Sequence, residues 1–534
     1  MPVTLLSAVI LGCFLLLLLR IGRRERGLPP GPPTVPLLGN LHLMPNAAEM
    51  PFKFMERSRK YGEIISVRIG SSTMIILSSP RAIKEVVDKQ GWTTSSRPAN
   101  YLAGLAAGGY HILFARDSAI SLDHSLIRSC PNSRPAPQLR KLKNAIARFF
   151  SPTNSLGGVP VQAAESTQLL HELMTQPENF IASIRRYTHS VAMITTYGQR
   201  VPSLTSPQMQ GFYQMLHRFL HIQLPGVYPP LDLVPVLKYL PNRWAPWRAA
   251  CRRSKSEMAA FHLRFASAAE ARCSAGRGKS FMDFISGMDL APEEYDDVFS
   301  YTGFALVEAG SDPNSAFVLS LVLVLSIYTE HQERARREIE AVVGTARLPD
   351  LADFGCLPFV DALIREIIRI RPPFPIGVPH LATDDIRYKD YIVPKGATVI
   401  LNTYSVFHSP EIFEEPEAFN PDRFLKSEHG TRPGMDADFR DNFLFGGGRR
   451  ICPGQYTARA MMQLTTMRLI WAFGFGSAKN PKTGQPVGLD FYAPEFVVMP
   501  YPFQCAIEPR TIERRKLVEQ AFNDSRLLLQ RYEH

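Results

Sequence analysis

Apolar and polar residues recur along the chain with periods that predict both strands and helices. The stretch SVRIGSSTMIILSS at 66–79 holds two β-rich runs separated by small polar residues, which predicts a hairpin. Helical spacing of the apolar residues predicts helices over 81–90, 140–150 and 357–371. Short strands are expected over 385–402, where Pro-Lys-Gly marks a turn. The pattern therefore predicts a mainly helical domain with small β-sheets.

Residues 298–343 form the longest run with helical spacing, and this run is too long for one ordinary helix. Proline has no N–H and crowds the carbonyl group four residues back, so Pro313 is expected to interrupt a helix. The run is therefore predicted to hold a buried helix broken near Pro313, followed by an amphipathic helix that carries the charged residues.

The N-terminal segment has the pattern of a membrane anchor. Residues 2–19 carry no charge, and a run of this length is close to what a helix needs to span a bilayer. Four arginines follow within 20–26, which places the rest of the chain on the cytosolic side. A cleaved signal peptide would instead carry positive charge before the apolar run and small residues after it. The proline-rich stretch LPPGPPTVP at 28–36 is typical of a semi-rigid spacer.

These features divide the chain into four parts. The predicted boundaries are a transmembrane anchor at 2–19, a basic and proline-rich linker at 20–40, one catalytic domain at 41–510 and a C-terminal tail at 511–534.

Composition and charge exclude several classes of protein. The 534 residues are 45% hydrophobic and 20% charged, which is ordinary for a globular chain. The net charge of +11 favours an acidic partner or an anionic membrane surface. Basic and aromatic residues do not interleave as they do in proteins that bind single strands, so no nucleic acid is expected. The seven cysteines are far apart and never form a Cys-x-x-Cys pair, which argues against a disulfide framework or a zinc cluster.

One cysteine stands in an unusual loop, FGGGRRICPG at 445–454. Each of its four glycines costs backbone entropy on ordering, so such a loop is expected where the backbone must approach another group closely. Arg449, Arg450 and the glycine amides supply the positive potential and donors that a thiolate needs. A lone Cys452 thiolate suits haem iron better than zinc, which takes four ligands. The alternative is a tight turn that holds a buried thiol.

Two further motifs precede this loop in a fixed order. Glu366 and Arg369 are three residues apart and share a helix face, and FNPDRF at 419–424 supplies Arg423. Glu-x-x-Arg, Pro-x-Arg-Phe and Phe-x-x-Gly-x-Arg-x-Cys-x-Gly, in this order, resemble the motifs of the cytochrome P-450 family of haem-thiolate monooxygenases. The chain looks like a microsomal, filamentous-fungal member, so the resemblance implies the cytochrome P-450 fold and the endoplasmic reticulum membrane.

The resemblance assigns roles around the cysteine. Cys452 is implied to be the axial ligand of haem b, and electron donation from its thiolate favours O–O cleavage. Phe445 is expected to pack near the sulfur, while Gly448 and Gly454 let the backbone wrap around it. Arg450 is implied to pair with a haem propionate, since the arginine fork fits a carboxylate.

Further roles follow from the same resemblance. Glu366, Arg369 and Arg423 match an ion-pair network whose role is structural. His380 matches a position where the family often places a propionate donor, although an ordinary half-buried histidine is an equal alternative. The chain is also implied to receive electrons from NADPH through a flavoprotein reductase.

The chain departs from the family on the helix that holds the propionates. The family has Trp-x-x-x-Arg there, whereas this chain has Leu139 and Lys143. Lys143 can still pair with a propionate, but only as a point charge. The preceding stretch, 116–137, resembles no family element. It is either a loop insertion or the translation of an unremoved intron.

A second departure lies on the oxygen side. The family reads Ala-Gly-x-Asp-Thr, whereas this chain reads Ala309-Gly310-Ser311-Asp312-Pro313. In the family the alcohol organises the water that protonates dioxygen, and here proline replaces it. Asp312 remains as the implied proton-delivering acid or, alternatively, as a buried or capping carboxylate that organises the break ahead of Pro313. The hydroxyls of Ser311 and Ser315 are the available substitutes.

The substrate pocket is expected to be lined by four stretches, at 97–113, 212–230, 304–316 and 374–378. They are apolar and aromatic, which favours a hydrophobic substrate.

Three hypotheses about function follow. The first is a monooxygenase of fungal secondary metabolism, and the second is a haem-thiolate isomerase, dehydratase or peroxide-using enzyme, which Pro313 favours. The third is an inactive membrane protein that lacks haem because of the 116–137 stretch.

Overall fold

The computed structural model of the chain describes a mainly helical domain with small sheets, as the pattern predicts. It describes residues 21–46, 48–107, 111–116, 136–224, 226–274, 280–286, 298–440, 443–493 and 496–533. The predicted anchor at 2–19 and most of the 116–137 stretch lie outside these residues.

The α-helices alternate with short 3-10 and π-helical turns along the chain. Their bounds are α1 Met50–Tyr61, α2 Pro80–Ile83, α3 Tyr101–Ala107, α4 Ala136–Phe149, α5 Pro152–Gly157, α6 Val159–Thr175, α7 Phe180–Tyr197, α8 Pro207–Gln223, α9 Pro246–Ser274, α10 Phe281–Ile285, α11 Gly303–Ile327, α12 Thr329–Val343, α13 Pro358–Ile370, α14 Thr403–Phe407, α15 Arg423–Lys426, α16 Gln455–Ala472 and α17 Ile512–Gln530. A π-helical turn, Lys84–Asp88, continues α2.

Within the described ranges, the strands form one four-stranded sheet and three small pairs. Their bounds are β1 Ile64–Ile69, β2 Ser72–Leu77, β3 His380–Leu381, β4 Ile386–Tyr388, β5 Tyr391–Val393, β6 Thr398–Leu401, β7 Phe473–Phe475, β8 Tyr492–Ala493, β9 Met499–Pro500 and β10 Ile507–Pro509. The four-stranded sheet has the order β1-β2-β6-β3, in which β2 and β6 run parallel and the other pairs antiparallel. The predicted hairpin at 66–79 is the β1–β2 pair, so this prediction is confirmed.

The long apolar run is divided at a different point from the one predicted. Helix α11 continues through Pro313, and the break before α12 falls at Tyr328. The expected interruption near Pro313 is therefore wrong. The proline removes one backbone donor, but the surrounding residues of α11 are buried against other helices, and this packing keeps the helix intact.

Helix α11 is also the part of the described chain that is long and apolar enough to cross a bilayer, together with the turn before it (Ser300–Ile327). Most of this segment is buried inside the domain, where it packs along α7 and also against α13 and α16. We therefore interpret it as the central core helix of the domain.

The last helix, α17, covers most of the stretch that the sequence divides off as a tail. It packs on α6, with Val518 and Leu529 fully buried. Arg514 of α17 donates to Trp471 O and pairs with Glu340. The packed structure thus extends past residue 511.

Candidate functional site

The cysteine loop is held by close packing against the π-helical turn. Gly448 has φ of +56°, and a Cβ atom at this position would lie 2.5 Å from the carbonyl oxygen of Val87. Its N–H donates to Asp88 at 2.8 Å, and Arg440 binds the same carboxylate. Only glycine permits this backbone conformation and this approach, which is the physical reason for the glycine-rich sequence of the loop.

Cys452 is fixed at the end of the loop by its backbone and by the start of α16. Its N–H donates to the carbonyl oxygen of Phe445 at 2.8 Å. Enclosure of the sulfur raises the pKa of the Cys452 thiol to about 11, while the N–H of Gly454 binds the sulfur and opposes this rise. Helix α16 begins at Gln455, so the positive end of its dipole lies beside the sulfur. The site favours a thiolate once a metal ion replaces the proton.

Arg450 joins the cysteine loop to two earlier segments of the chain, and Arg97 joins these segments to the residues before β3. Arg450 donates to Ser95 O at 2.5 Å and to Ala115 O at 2.7 Å. Arg97, which the sequence analysis did not single out, donates to Leu113 O at 3.0 Å and to Pro379 O at 2.7 Å. The guanidinium groups thus lie where 95–97, 112–115 and 378–380 meet.

His380 lies in the same region, on strand β3. Its Nδ1 is 2.8 Å from the carbonyl oxygen of Thr94, and the residue is 4% exposed. Burial and the positive charges of Arg97 and Arg450 together lower the pKa of His380 to about 3, although the hydrogen bond to Thr94 O opposes this shift. The neutral ring therefore donates from Nδ1 to Thr94, and Nε2 carries a lone pair. A second N–H, suited to a carboxylate, appears only when the ring is protonated.

The structure brings Glu366, Arg369 and Arg423 together in the core. Both oxygens of Glu366 accept from Arg369, at 2.7 and 2.8 Å, and Arg423 Nε lies 3.2 Å from Oε2. Arg369 also donates to the carbonyl oxygens of Phe407 and Pro416. The three charged side chains are buried, so the network fixes α13 to the segment that precedes the cysteine loop.

One side of α11 faces open space in place of packed side chains. Ala309 is exposed, although it lies in a core helix, and four residues at helical spacing from it are only half-buried. This stripe consists of Leu306, Ala309, Gly310, Pro313 and Asn314. A stripe of this kind on a buried helix marks the wall of a cavity.

The structure does not bring Ser311 and Ser315 to this stripe. Both are fully buried and bonded toward α7. Ser311 Oγ donates to Val307 O at 2.6 Å and lies 3.2 Å from His189 Nδ1. Ser315 Oγ lies 2.6 Å from the hydroxyl of Thr188. Their expected role as substitutes for the missing alcohol therefore gains no support from their position.

Asp312 is also buried, at 9% exposure, and it lies near α8. Burial raises the pKa of Tyr213, and the negative charge of Asp312 adds to this effect, which places the carboxylate near that phenol.

Lys143 is half-buried in α4, two turns before the end of that helix. The side chain of Leu139, in the same helix, lies outside the described residues.

These side chains form a donor set that suits haem. The sulfur of Cys452 lies at the start of α16, with the hydrogen-bonding and dipole environment that stabilises sulfur ligands. Arg450 of the same loop and Arg97 both lie near the neutral imidazole of His380, and the two guanidinium groups match two carboxylates. The residues present therefore fit an iron porphyrin with propionate groups.

Comparison with known proteins agrees with this geometry. Residues 29–505 match the family model of cytochrome P-450. A cytochrome P-450 monooxygenase of Armillaria gallica is 35% identical over 523 residues, which cover 97% of this chain and 96% of the relative. The monooxygenase macC of Penicillium terrestre is 31% identical over 539 residues, covering 97% and 96%. The monooxygenase yanC of Aspergillus niger is 32% identical over 522 residues, covering 94% and 93%.

Proposed function

The chain belongs to the cytochrome P-450 family, and on this premise we propose that it inserts one oxygen atom of dioxygen into a hydrophobic small molecule. The observation that carries the proposal is the Cys452 loop, whose sulfur accepts a backbone N–H at the start of α16 and whose half-buried Arg450 lies near the buried Arg97. The resemblance to filamentous-fungal members supports a role in secondary metabolism.

Haem b is the cofactor that this site would hold. Cys452 would bind the iron, and Arg450, Arg97 and Lys143 would neutralise the propionates, whereas His380 would donate to a propionate only in its protonated form. The bound group supplies dioxygen activation with electrons pushed from the thiolate. The chain's own contribution is to hold the sulfur, to enclose the site between α11 and the cysteine loop, and to keep Asp312 as a proton source near the open stripe.

The electron source in this proposal is NADPH, through a flavoprotein reductase. The net charge of +11 suits an acidic partner. The test is the joint consumption of NADPH and dioxygen with substrate by purified protein and reductase. A second candidate, a haem-thiolate isomerase, dehydratase or peroxide-using enzyme, is favoured by Pro313, and turnover without NADPH would identify it.

The proposed location is the endoplasmic reticulum membrane, with a single-pass anchor at 2–19 and the catalytic domain in the cytosol. Exposed apolar residues between α8 and α9 support contact with a lipid surface. They are Leu233, Val234, Val236, Tyr239 and Trp244, with exposures from 41% to 73%. Arg243 lies among them and suits anionic headgroups.

A further inference from the structure

A pair of titratable side chains lies in an aromatic cluster and takes no part in the roles assigned above. His111 Nε2 is 3.0 Å from Glu308 Oε2, and the residues are 3% and 8% exposed. The imidazole ring lies 4.9 Å from the ring of Phe114, 5.3 Å from Phe219 and 5.7 Å from Phe304, measured between centroids. A carboxylate in such apolar surroundings is costly unless it is compensated.

Within the described residues, this pair is only partly compensated. His111 Nδ1 is buried and has no hydrogen-bond partner. Glu308 has no ion-pair partner besides His111, and no described residue donates to its second oxygen, while 11% of its side chain stays exposed. A purely structural buried pair is expected to have its remaining atoms satisfied. The free carboxylate oxygen is therefore available to a ligand.

The pair lies at the proposed catalytic site. His111 belongs to the 97–113 stretch, Phe219 to 212–230 and Glu308 to 304–316, so three of the four predicted pocket-lining segments meet here. The carbonyl oxygen of Ile112, next to His111, accepts from Arg450 of the cysteine loop at 3.4 Å. Glu308 directly precedes Ala309 of the open stripe.

We propose that Glu308, held by His111, is the polar anchor of the substrate pocket, and that the substrate is a hydrophobic molecule bearing a hydroxyl group. This inference rests on the proposed function. The hydroxyl donates a hydrogen bond to the second carboxylate oxygen of Glu308, while the aromatic side chains take up the apolar body of the ligand. His111 fixes the carboxylate by donating from Nε2, so it is a positioning residue.

A hydroxyl fits this anchor better than the other donors. A hydrocarbon would leave the carboxylate oxygen without a partner. A protonated amine would have to leave water for an apolar pocket, where the imidazole of His111 already donates to the carboxylate. A neutral hydroxyl satisfies the acceptor at a small desolvation cost.

The test measures dissociation constants of matched probes by equilibrium dialysis against the purified holoprotein. The probes are naphthalene with naphthol, fluorene with fluorenol, and naphthylmethylamine. In the parent protein each hydroxyl compound is expected to bind about tenfold or more tightly than its hydrocarbon, the size of a hydrogen bond to a charged group. Glu308→Met should remove this preference, whereas Glu308→Gln, which keeps an acceptor oxygen, should retain part of it.

Glu330→Gln, an exposed substitution on α12, is the matched control and should keep the parent preference. Equal binding of the paired probes by the parent, a stronger preference for the amine, or no binding of any probe would each contradict the inference. If Glu308→Met does not fold, the ratio of the hydrocarbon and hydroxyl dissociation constants, measured in the parent and in Glu308→Gln, still tests the inference. If the parent protein lacks the thiolate-type spectrum with carbon monoxide, the proposed function is contradicted. If that spectrum is present but the parent shows no preference for the hydroxyl probes, only this inference is contradicted.

Discussion

Cys452 owes its position to residues that carry no chemistry themselves. The approach of Gly448 to Val87 and the bond from its N–H to Asp88 set the course of the loop, and Phe445 O holds the cysteine N–H. The raised pKa of the enclosed thiol means that a bound metal must displace the proton. The residue is thus prepared for a ligand role by its backbone contacts more than by nearby side-chain charge.

A substitution at Glu366 tests the structural role of the buried ion-pair network. Because both of its oxygens are bonded to buried arginines, Glu366→Gln removes the charge that compensates Arg369 and Arg423. Breaking a buried pair in this way is expected to lower the free energy of unfolding by about 3–5 kcal/mol, measured by denaturant titration. Glu330→Gln, on the exposed face of α12, should change it by less than about 0.5 kcal/mol. Equal effects of the two substitutions would contradict the structural role.

Substitutions at Pro313 and Asp312 test whether protons are delivered through this part of α11. Pro313→Thr restores the backbone donor and adds a hydroxyl on the open stripe, where Ser311 and Ser315 supply none. We expect more product per NADPH and less hydrogen peroxide, both measured in the reconstituted reaction. Asp312→Asn should slow dioxygen consumption in the same assay. If both variants match the parent, protons do not reach the site through this part of α11.

The motifs allowed several of these residues to be identified from the sequence. The residues of the cysteine loop are contiguous in the sequence, and those of the Glu366 network belong to motifs that occur in a fixed order. Both features could therefore be predicted. Arg97 was missed because its partners are backbone carbonyl groups from distant segments, which leave no trace in composition. Glu308 had a detectable signal, since it is an acidic residue in an otherwise apolar helical run that it shares with Asp312, but its partner His111 lies 197 positions away.

At the scale of elements, α11 illustrates the limit of local rules. Proline inside a helix costs about 3 kcal/mol, which predicts a break when the segment is considered alone. The helix instead runs to Ile327, because its apolar residues are buried against α7 and α16 and this burial outweighs the local cost. The hairpin β1–β2 and helix α13, by contrast, were predicted correctly, since tertiary packing reinforces their local pattern.

Helix α17 provides a matched test of packing. Leu529 is fully buried against the domain, whereas Leu527, two residues earlier, is 74% exposed. Leu529→Ala is expected to lower the free energy of unfolding by about 2–5 kcal/mol, because it leaves a cavity. Leu527→Ala should have an effect of less than about 0.5 kcal/mol in the same denaturant titration. Similar small effects at both positions would mean that α17 adds nothing to the stability of the domain.

At the scale of the whole molecule, the anchor and the domain should be separable. Removal of residues 1–20 keeps Arg24, which donates to Pro29 O at 2.6 Å and to Ser66 Oγ at 2.7 Å. We expect the truncated chain to keep its haem content and to be released from membranes by high salt, as measured by sedimentation and absorbance. Loss of folding on truncation would show that the apolar run packs inside the domain.

The central claim is that Cys452 is the thiolate ligand of haem in a monooxygenase. The carbon monoxide difference spectrum of the reduced, purified protein tests it most directly. The account predicts a thiolate-type Soret band in the parent, its loss in Cys452→Ser, and its retention in Cys356→Ser, which changes an exposed cysteine far along the chain. A parent without this band, or a Cys452→Ser variant that keeps it, would contradict the account.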